Sequence, residues 1–217
     1  MRPITTIRNA TIRGREGLHD LHLRDGRLER LEPVSTSGVP ADRSTMAPDV
    51  LDAEGMLVIP RFVDPHVHLD LAYTFDPSNP NRSGTLVEAI RLWRETKAHV
   101  TRADTTRRAC LAIADEVRHG VGLIRTHVDV ASSSGLRLVE GVLDARERAK
   151  ALVDIEVVAF PQDGLVQDPD AIDNLRQAMR LGCDVVGGIA HNERTPGDSV
   201  RHVEMLFDLA AEFDAPI

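Results

Sequence analysis

The sequence predicts an α/β fold, a (β/α)8 barrel represented by only its first four to five units. From residue 57 onward, apolar runs typical of buried strands alternate with segments of helical periodicity, which predicts parallel βαβ units. Strand-like runs begin near residues 122, 155 and 184 and recur about every 30 residues, as in such a barrel. A doubly wound sheet is the alternative, and it is disfavoured because no glycine-rich phosphate loop follows any of the runs.

Before this pattern, residues 1–56 are predicted to be β structure. An alternating run rich in Thr and Ile comes first, and Asp25-Gly26 then separates two short alternating runs, which indicates a hairpin. A polar loop is predicted at 35–49, followed by a return to a strand-like pattern. The sequence thus predicts two domains, residues 1–56 and 57–217.

The barrel elements follow in order. Strands are predicted at 62–68, 121–130, 153–160 and 184–191. Helices are predicted at 83–98, 101–120, 135–151, 170–182 and 199–213. The last of these helices is expected to bury one apolar face made of Val203, Leu206, Phe207 and Ala210. Residues 214–217 resemble the approach to a fifth strand.

Composition restricts the classes of function. The chain has 217 residues, 42% hydrophobic and 28% charged, with a formal net charge of −8. Nucleic acid is not expected as a partner, because phosphate binding needs a basic face. No apolar run of about 18 residues predicts a membrane span, and no signal core opens the chain, so a cytoplasmic protein is expected. Cys110 and Cys183 lie in apolar periodic segments and are expected to be reduced.

The segment PRFVDPHVHLD, residues 60–70, contains the first candidate metal ligands. His66 and His68 are separated by one residue, so in a strand they point to the same face. Two imidazoles on one face can share a divalent cation, and neutral imidazole suits both zinc and iron. A polar strand end without metal is the alternative, but the position at the end of the first barrel strand favours the metal.

The segment RTHVDV repeats this spacing with His127 and Asp129. Carboxylate–histidine pairs are commonly found next to a metal site, where the carboxylate hydrogen-bonds a histidine and orients it. We therefore favour a buried, hydrogen-bonded pair over direct ligation of the metal by both residues.

Gln162 and His191 follow the third and fourth strands. The amide of Gln162 can bind the polar edge of a small heterocycle, although spacing alone favours a loop residue that caps the next turn. Substrate contact, metal contact and solvent exposure are all open for His191. Solvated positions are expected for the histidines in hairpin or helical segments, namely His19, His22, His99, His119 and His202.

Five segments, taken in order, carry a resemblance to a known family: VIPRFVDPHVHLD, SGTLVEAIRLW, RTHVDV, VDIEVVAFPQDG and GCDVVGGIAHNE. They resemble the consecutive landmarks of the cytosine deaminase branch of the amidohydrolase superfamily, a branch that also includes hydrolases of triazine rings. RTHVDV together with AFPQ is more specific than the His-x-His motif alone. The resemblance implies a metal-dependent hydrolase on a distorted (β/α)8 barrel, with residues 1–56 as part of a small flanking β-sandwich.

The resemblance also implies roles for individual residues. His66 and His68 would be the first two ligands of one divalent ion, zinc or iron. Gln162 would hydrogen-bond the ring of a small heterocyclic amine, and the backbone at Leu86 would contact the ring edge. His191 matches the histidine of the family's PHxE turn.

Two departures from the family pattern stand near these residues. Ala190 replaces the proline of the PHxE turn, which bears on ring specificity. Arg61 stands where many amidohydrolases have glycine.

The implied activity is hydrolytic deamination of a cytosine-like nitrogen heterocycle. Metal-bound hydroxide would attack the ring carbon that bears the amine, and a carboxylate would carry the proton to the departing ammonia. An amidohydrolase acting on an aminotriazine or another ring amine is an alternative. A non-catalytic half-barrel that binds metal or mediates assembly is another.

In the resembling family, the third histidine ligand and the catalytic glutamate come from a fifth strand, so no catalytic residue is assigned within this sequence. The remaining barrel units would need roughly 120 further residues. We therefore expect a truncated chain with weak or no metal binding and no turnover by itself. Open sheet edges would also invite pairing with a second copy, as a homo-oligomer.

Overall fold

The computed structural model describes residues 3–34, 47–168 and 170–217. The chain forms two compact units, residues 1–60 and 61–217. The predicted boundary after residue 56 is too early, because Leu57–Val58 forms a short strand that pairs with the first strand of the first unit. Most of the polar loop predicted at 35–49 lies outside the described residues.

The first unit contains a five-stranded sheet with the order β3-β2-β1-β4, and β5 also pairs with β1. Its strands are β1 (Thr6–Ile12), β2 (Leu18–Arg24), β3 (Arg27–Pro33), β4 (Val50–Asp52) and β5 (Leu57–Val58). The hairpin between β2 and β3 is confirmed: Asp25 and Gly26 have φ angles of 52° and 73°, as a tight hairpin turn requires. The β-sandwich to which the sequence assigned this unit stays a prediction.

The second unit alternates strands and helices, and its four-stranded sheet has the order β6-β7-β8-β9 with all pairs parallel. The strands are β6 (Phe62–Val67), β7 (Val121–Asp129), β8 (Asp154–Phe160) and β9 (Val185–Val186). The helices are α1 (Leu86–Lys97), α2 (Arg102–Arg118), α3 (Arg137–Ala149), α4 (Ala171–Leu181) and α5 (Pro196–Phe213). Each strand pairs with the next in the chain, as in a barrel, whereas a doubly wound sheet reverses its order.

Helix starts and ends carry residues suited to those positions. Thr85 caps α1 by accepting from the backbone N–H of Glu88, and Thr101 caps α2 by accepting from that of Asp104. Gly182 ends α4 with a φ angle of 109°, a conformation that favours glycine. No helix in the described ranges is long and apolar enough to cross a membrane.

The main core lies within the second unit and consists mostly of Val, Leu, Ile and Ala. Both cysteines are free, as predicted. Cys183 is buried in this core, and Cys110 packs against it. Burial, followed by the charge of Asp184, raises the pKa of Cys183 to about 12, so its thiol is unreactive at neutral pH.

The fourth strand is shorter than the predicted 184–191. β9 contains only two residues, and the chain then turns through Gly187 and Gly188 into a 3-10 helix at Ala190–Asn192. A Cβ on Gly187 would lie 2.6 Å from Cγ1 of Val158, so the chain passes tightly over β8 before it turns away. As a result, the segment that carries His191 is a turn.

The buried face of α5 differs from the prediction. Leu206 is buried as expected, but Val203 and Phe207 are 41% and 63% exposed. The face is rotated toward His202, which is completely buried, so the solvated position predicted for this histidine is wrong. The same correction applies to His19, which is 5% exposed. An amphipathic pattern counts apolar residues, so it gives no signal for a buried histidine.

Candidate active-site cleft

A cleft of about 730 Å³ lies where the carboxyl ends of the four parallel strands meet, a size typical of ligand sites. Its lining includes every predicted site residue except Asp129: His66, His68, Leu86, His127, Gln162 and His191. Strands that run parallel end at one edge of the sheet, which is why residues so distant in sequence come together.

Three histidines form one side of the cleft, which we call the histidine wall: His66, His68 and His127. The rings of His66 and His127 stack with centroids 3.9 Å apart, and those of His66 and His68 lie 5.4 Å apart. The Nδ1 atoms of His68 and His127 are buried, and neither has a hydrogen-bond partner in the described part of the chain. Imidazole nitrogens in this condition are suited to an external ligand.

The histidine wall also favours uncharged imidazole. Burial, followed by the charge of His66, lowers the pKa of His68. Burial, and then the charges of His66, His68 and Arg125, lower the pKa of His127 to about 4. At neutral pH these two rings are therefore neutral, which is the form that binds a metal ion.

His66 and His68 fit two positions of a metal ligand set, because their rings lie close together and the buried Nδ1 of His68 is unpartnered. Residues 3–34, 47–168 and 170–217 contain no group of three or more His, Cys, Asp or Glu side chains that could hold a metal ion. A catalytic zinc usually takes three protein ligands. The described residues therefore supply part of a ligand set.

Asp129 has partners other than the expected histidine. Its Oδ2 accepts from Lys97 Nζ at 2.6 Å and from Trp93 Nε1 at 3.1 Å. Lys97 also donates to Asp163 at 2.6 Å, and its side chain is completely buried. Within the described ranges, no hydrogen bond joins Asp129 to Nδ1 of His127. Sequence reasoning missed Lys97, because a lysine in the last turn of a helix is usually solvated and interacts favourably with the helix dipole.

Asp70 connects the turn that follows His68 to β7. Its Oδ2 accepts from the backbone N–H of Asp129 at 3.0 Å, and the backbone N–H of Leu69 donates to Thr126 Oγ1 at 3.1 Å. Complete burial raises the pKa of Asp70 to about 7. These bonds fix the chain directly after His68.

Two loops form the other side of the cleft, which we call the loop wall: residues 161–168 and 187–193. Oε1 of Gln162 is buried and has no hydrogen-bond partner among the described residues. The backbone oxygen of Gln162 accepts from Nδ2 of Asn192 at 2.9 Å. Gln167 Nε2 bridges the same loops, because it donates to the backbone oxygens of Asp163 and Asn192, both at 2.7 Å.

Glu193 anchors the loop wall, and the sequence analysis did not single it out. Its Oε1 accepts from the backbone N–H of Leu165 at 2.6 Å and from His202 Nδ1 at 2.6 Å. Burial alone would raise the pKa of Glu193, but the bond from His202 and those from the backbone outweigh it, so the pKa is lowered. The glutamate of the AHNE segment was the available signal.

Comparisons with known proteins agree with this geometry. The amidohydrolase family pattern matches residues 49–212. The 5-methylcytosine deaminase from Klebsiella pneumoniae, liganded with phosphonocytosine, superposes with a TM-score of 0.85 at 39% identity, over 97% of this chain and 50% of that one. The N-isopropylammelide isopropylaminohydrolase from Burkholderia multivorans gives 0.77 at 30% identity, over 97% and 51%.

A curated relative gives the same result. The N-isopropylammelide isopropyl amidohydrolase of Pseudomonas sp. (strain ADP) is 33% identical over 216 residues, which is 97% of this chain and 51% of that protein. The chain thus spans about half the length of the relatives it matches. The resemblance to the cytosine deaminase branch is confirmed by these comparisons. Since the family pattern covers most of its length, the chain belongs to the amidohydrolase family.

Proposed function

We propose that this chain provides the substrate cleft and the first two metal ligands of a hydrolase that deaminates a cytosine-like nitrogen heterocycle. One observation carries the proposal. A single cleft brings together two adjacent imidazoles and a glutamine whose amide oxygen is buried without a partner among the described residues. The first pair suits a divalent cation, and the amide suits the polar edge of a ring.

His66 and His68 would hold one divalent ion, zinc or iron. When bound, such an ion supplies Lewis acidity and lowers the pKa of water to about 7. The chain itself keeps the ring of His68 neutral through burial and through the charge of His66. The hydrogen bond that the backbone N–H of Asp129 donates to Asp70 holds the turn after His68 in place.

Gln162 would select and orient the ring. Leaving a buried acceptor unpaired costs about 1–3 kcal/mol, so the free Oε1 favours a ligand that presents an N–H group. Sites built in this way reject analogues that lack the matching donor. Leu86 and His191 line the same cleft, where the backbone of Leu86 and the side chain of His191 would contact the ring edge.

The proton-transfer residue is not assigned. The lining of the cleft contains no Asp or Glu within the described residues. The proposal therefore gives this chain the tasks of binding and orienting substrate and metal.

Among the relatives, a deaminase of 5-methylcytosine is 39% identical and the two hydrolases of N-isopropylammelide are 30% and 33% identical. The higher identity to the deaminase favours ring deamination over removal of an N-alkyl amine. An aminotriazine substrate remains the second candidate, because the two N-isopropylammelide hydrolases cover as much of the chain.

The experiment compares metal content and ammonia release in the full-length protein. In a His66→Ala, His68→Ala double variant, zinc and iron measured by mass spectrometry should fall, whereas His99→Ala, at an exposed histidine, should leave them unchanged. Wild-type protein should release ammonia from cytosine or 5-methylcytosine faster than from aminotriazines. Equal metal content in the double variant and the wild type would refute the proposed ligands.

A further inference from the structure

A buried pair of side chains, Glu193 and His202, joins the two loops of the cleft wall. Both side chains have 0% exposure, and Oε1 of Glu193 lies 2.6 Å from Nδ1 of His202. The same oxygen accepts from the backbone N–H groups of Leu165 at 2.6 Å and Val166 at 3.1 Å. One carboxylate thus connects the loop that carries Gln162 to helix α5.

The second ring nitrogen of His202 holds the other loop. Its Nε2 lies 3.2 Å from the backbone nitrogen of Ile189, two residues before His191, and accepts that hydrogen. The tautomer with the proton on Nδ1 then donates to Glu193, so both ring nitrogens are satisfied inside the protein. A single imidazole therefore fixes both loops relative to α5.

Glycines stand where the chain approaches this pair. A Cβ on Gly188 would lie 2.7 Å from Nε2 of His202, and a Cβ on Gly164 would lie 2.8 Å from Oε1 of Glu193. Gly164 also has a φ angle of 97°, where other residues are strained. Glycine at both positions allows the backbone to come within hydrogen-bond distance of the pair.

Stability alone does not account for such a pair. Replacing buried ionic groups with well-packed apolar residues is often neutral or stabilising. A fully satisfied polar network instead specifies one arrangement of the elements it joins. Here the elements are the two loops that face the ligand, and Asn192 Nδ2 bonds the backbone oxygen of Gln162 directly at 2.9 Å.

We infer that Glu193 and His202 are positioning residues that set the spacing between Gln162 and His191, and thereby the affinity of the cleft for a planar ring. This inference rests on the proposed function for the identity of the ligand. The coupling between the loops rests only on the bonds described above.

Hydrogen exchange tests the coupling without any ligand. In His202→Gln, the side-chain amide places a group near the position of Nε2 but the donor to Glu193 is lost. Glu193 is then no longer held in place, so the N–H groups of Leu165 and Val166, which donate to it, should exchange about tenfold faster or more. In Glu204→Gln, on the exposed face of the same helix, exchange should match the wild type.

Steady-state kinetics test the effect on the ring. In His202→Gln of the full-length protein, KM for the best of cytosine, 5-methylcytosine and an aminotriazine should rise about tenfold or more, because binding then has to fix loops that the wild type holds in place before the ring arrives. The value of kcat should change less, and metal content should stay constant. His202→Asn, whose side-chain N–H can replace the Nδ1 donor, should recover part of the loss.

Glu193→Gln provides a second variant if His202→Gln folds poorly. Wild-type exchange at Leu165 in the folded forms of both variants would overturn the inference, and so would faster exchange with unchanged KM. If the wild type turns over none of the three probes, the proposed function fails. Accelerated exchange in the variants would then still support the coupling, and unchanged exchange would refute it.

Discussion

The two walls of the cleft differ in what satisfies their polar atoms. In the histidine wall, the Nδ1 atoms of His68 and His127 are buried without a partner in the described part of the chain. In the loop wall, the atoms of Glu193 and Asn192 that hold the loops are bonded within the protein, and Glu193 is also bonded to His202 of α5. The spacing of the two loops is therefore set by bonds within the chain, with Oε1 of Gln162 left unpartnered by the described residues and open toward a ring, whereas the open nitrogens of the histidine wall suit a metal ion. Changes in one wall should leave the other largely unaffected.

The largest effect is expected from removal of the candidate metal ligands. His66→Ala combined with His68→Ala should reduce kcat/KM for the best ring amine by about 1000-fold or more, because the Lewis acidity of a bound metal lowers the barrier by several kcal/mol. Hydrogen exchange at Leu165 should stay at the wild-type rate. Accelerated exchange there would show that the two walls are not independent.

Lys97→Met should cause the largest loss of stability. The substitution leaves the carboxylates of Asp129 and Asp163 without their buried cation, and breaking such a pair costs about 3 kcal/mol or more. The measurement is urea denaturation followed by circular dichroism. Lys150→Met is the matched control, since Lys150 is 68% exposed and should change stability by less than about 0.5 kcal/mol. A result for Lys97→Met within that range would contradict the account.

Gln162→Leu should affect substrate affinity and selectivity without affecting metal content. The loss of the side-chain Oε1 as a hydrogen-bond acceptor for the ring should lower kcat/KM for the ring amine by about 100-fold. Gln177→Leu, at an exposed position of α4, should match the wild type in the same assay. If kcat/KM is equal in the two variants, Gln162 is a loop residue with no contact to the ring.

The smallest expected effect is on the pH dependence of the unfolding free energy. The pKa of Glu193 is lowered in the folded protein from its usual 4.5, so the carboxylate contributes stability above that value, and the contribution is lost as pH falls through the folded pKa. The difference in unfolding free energy between wild type and Glu193→Gln should therefore shrink on acidification below pH 4.5. A difference that is constant from pH 7 to pH 3 would exclude ionised Glu193 as the anchor.

The same contrast explains what could be predicted from the sequence. Alternation of apolar runs and helices predicted the parallel sheet, and the spacing of His66 and His68 predicted their common position, because both depend on local periodicity. The partners of Glu193 and Lys97 depend on contacts between segments far apart in sequence. Leu165 lies 28 residues from Glu193, and Asp129 lies 32 from Lys97. Only the fold brings these groups together, so local patterns gave no signal for burial of Lys97 or His202.

Hydrogen exchange before and after chelation of bound metal tests the central claim most directly. In the full-length protein, chelation should accelerate exchange in peptides covering β6 and β7. Peptides covering 161–168 and 187–193 should stay within about twofold of their original rates, because the hydrogen bonds that hold these loops are made within the protein. Equal acceleration in both regions, or acceleration confined to the loops, would contradict the division of the cleft into a wall built by the chain and a wall completed by metal.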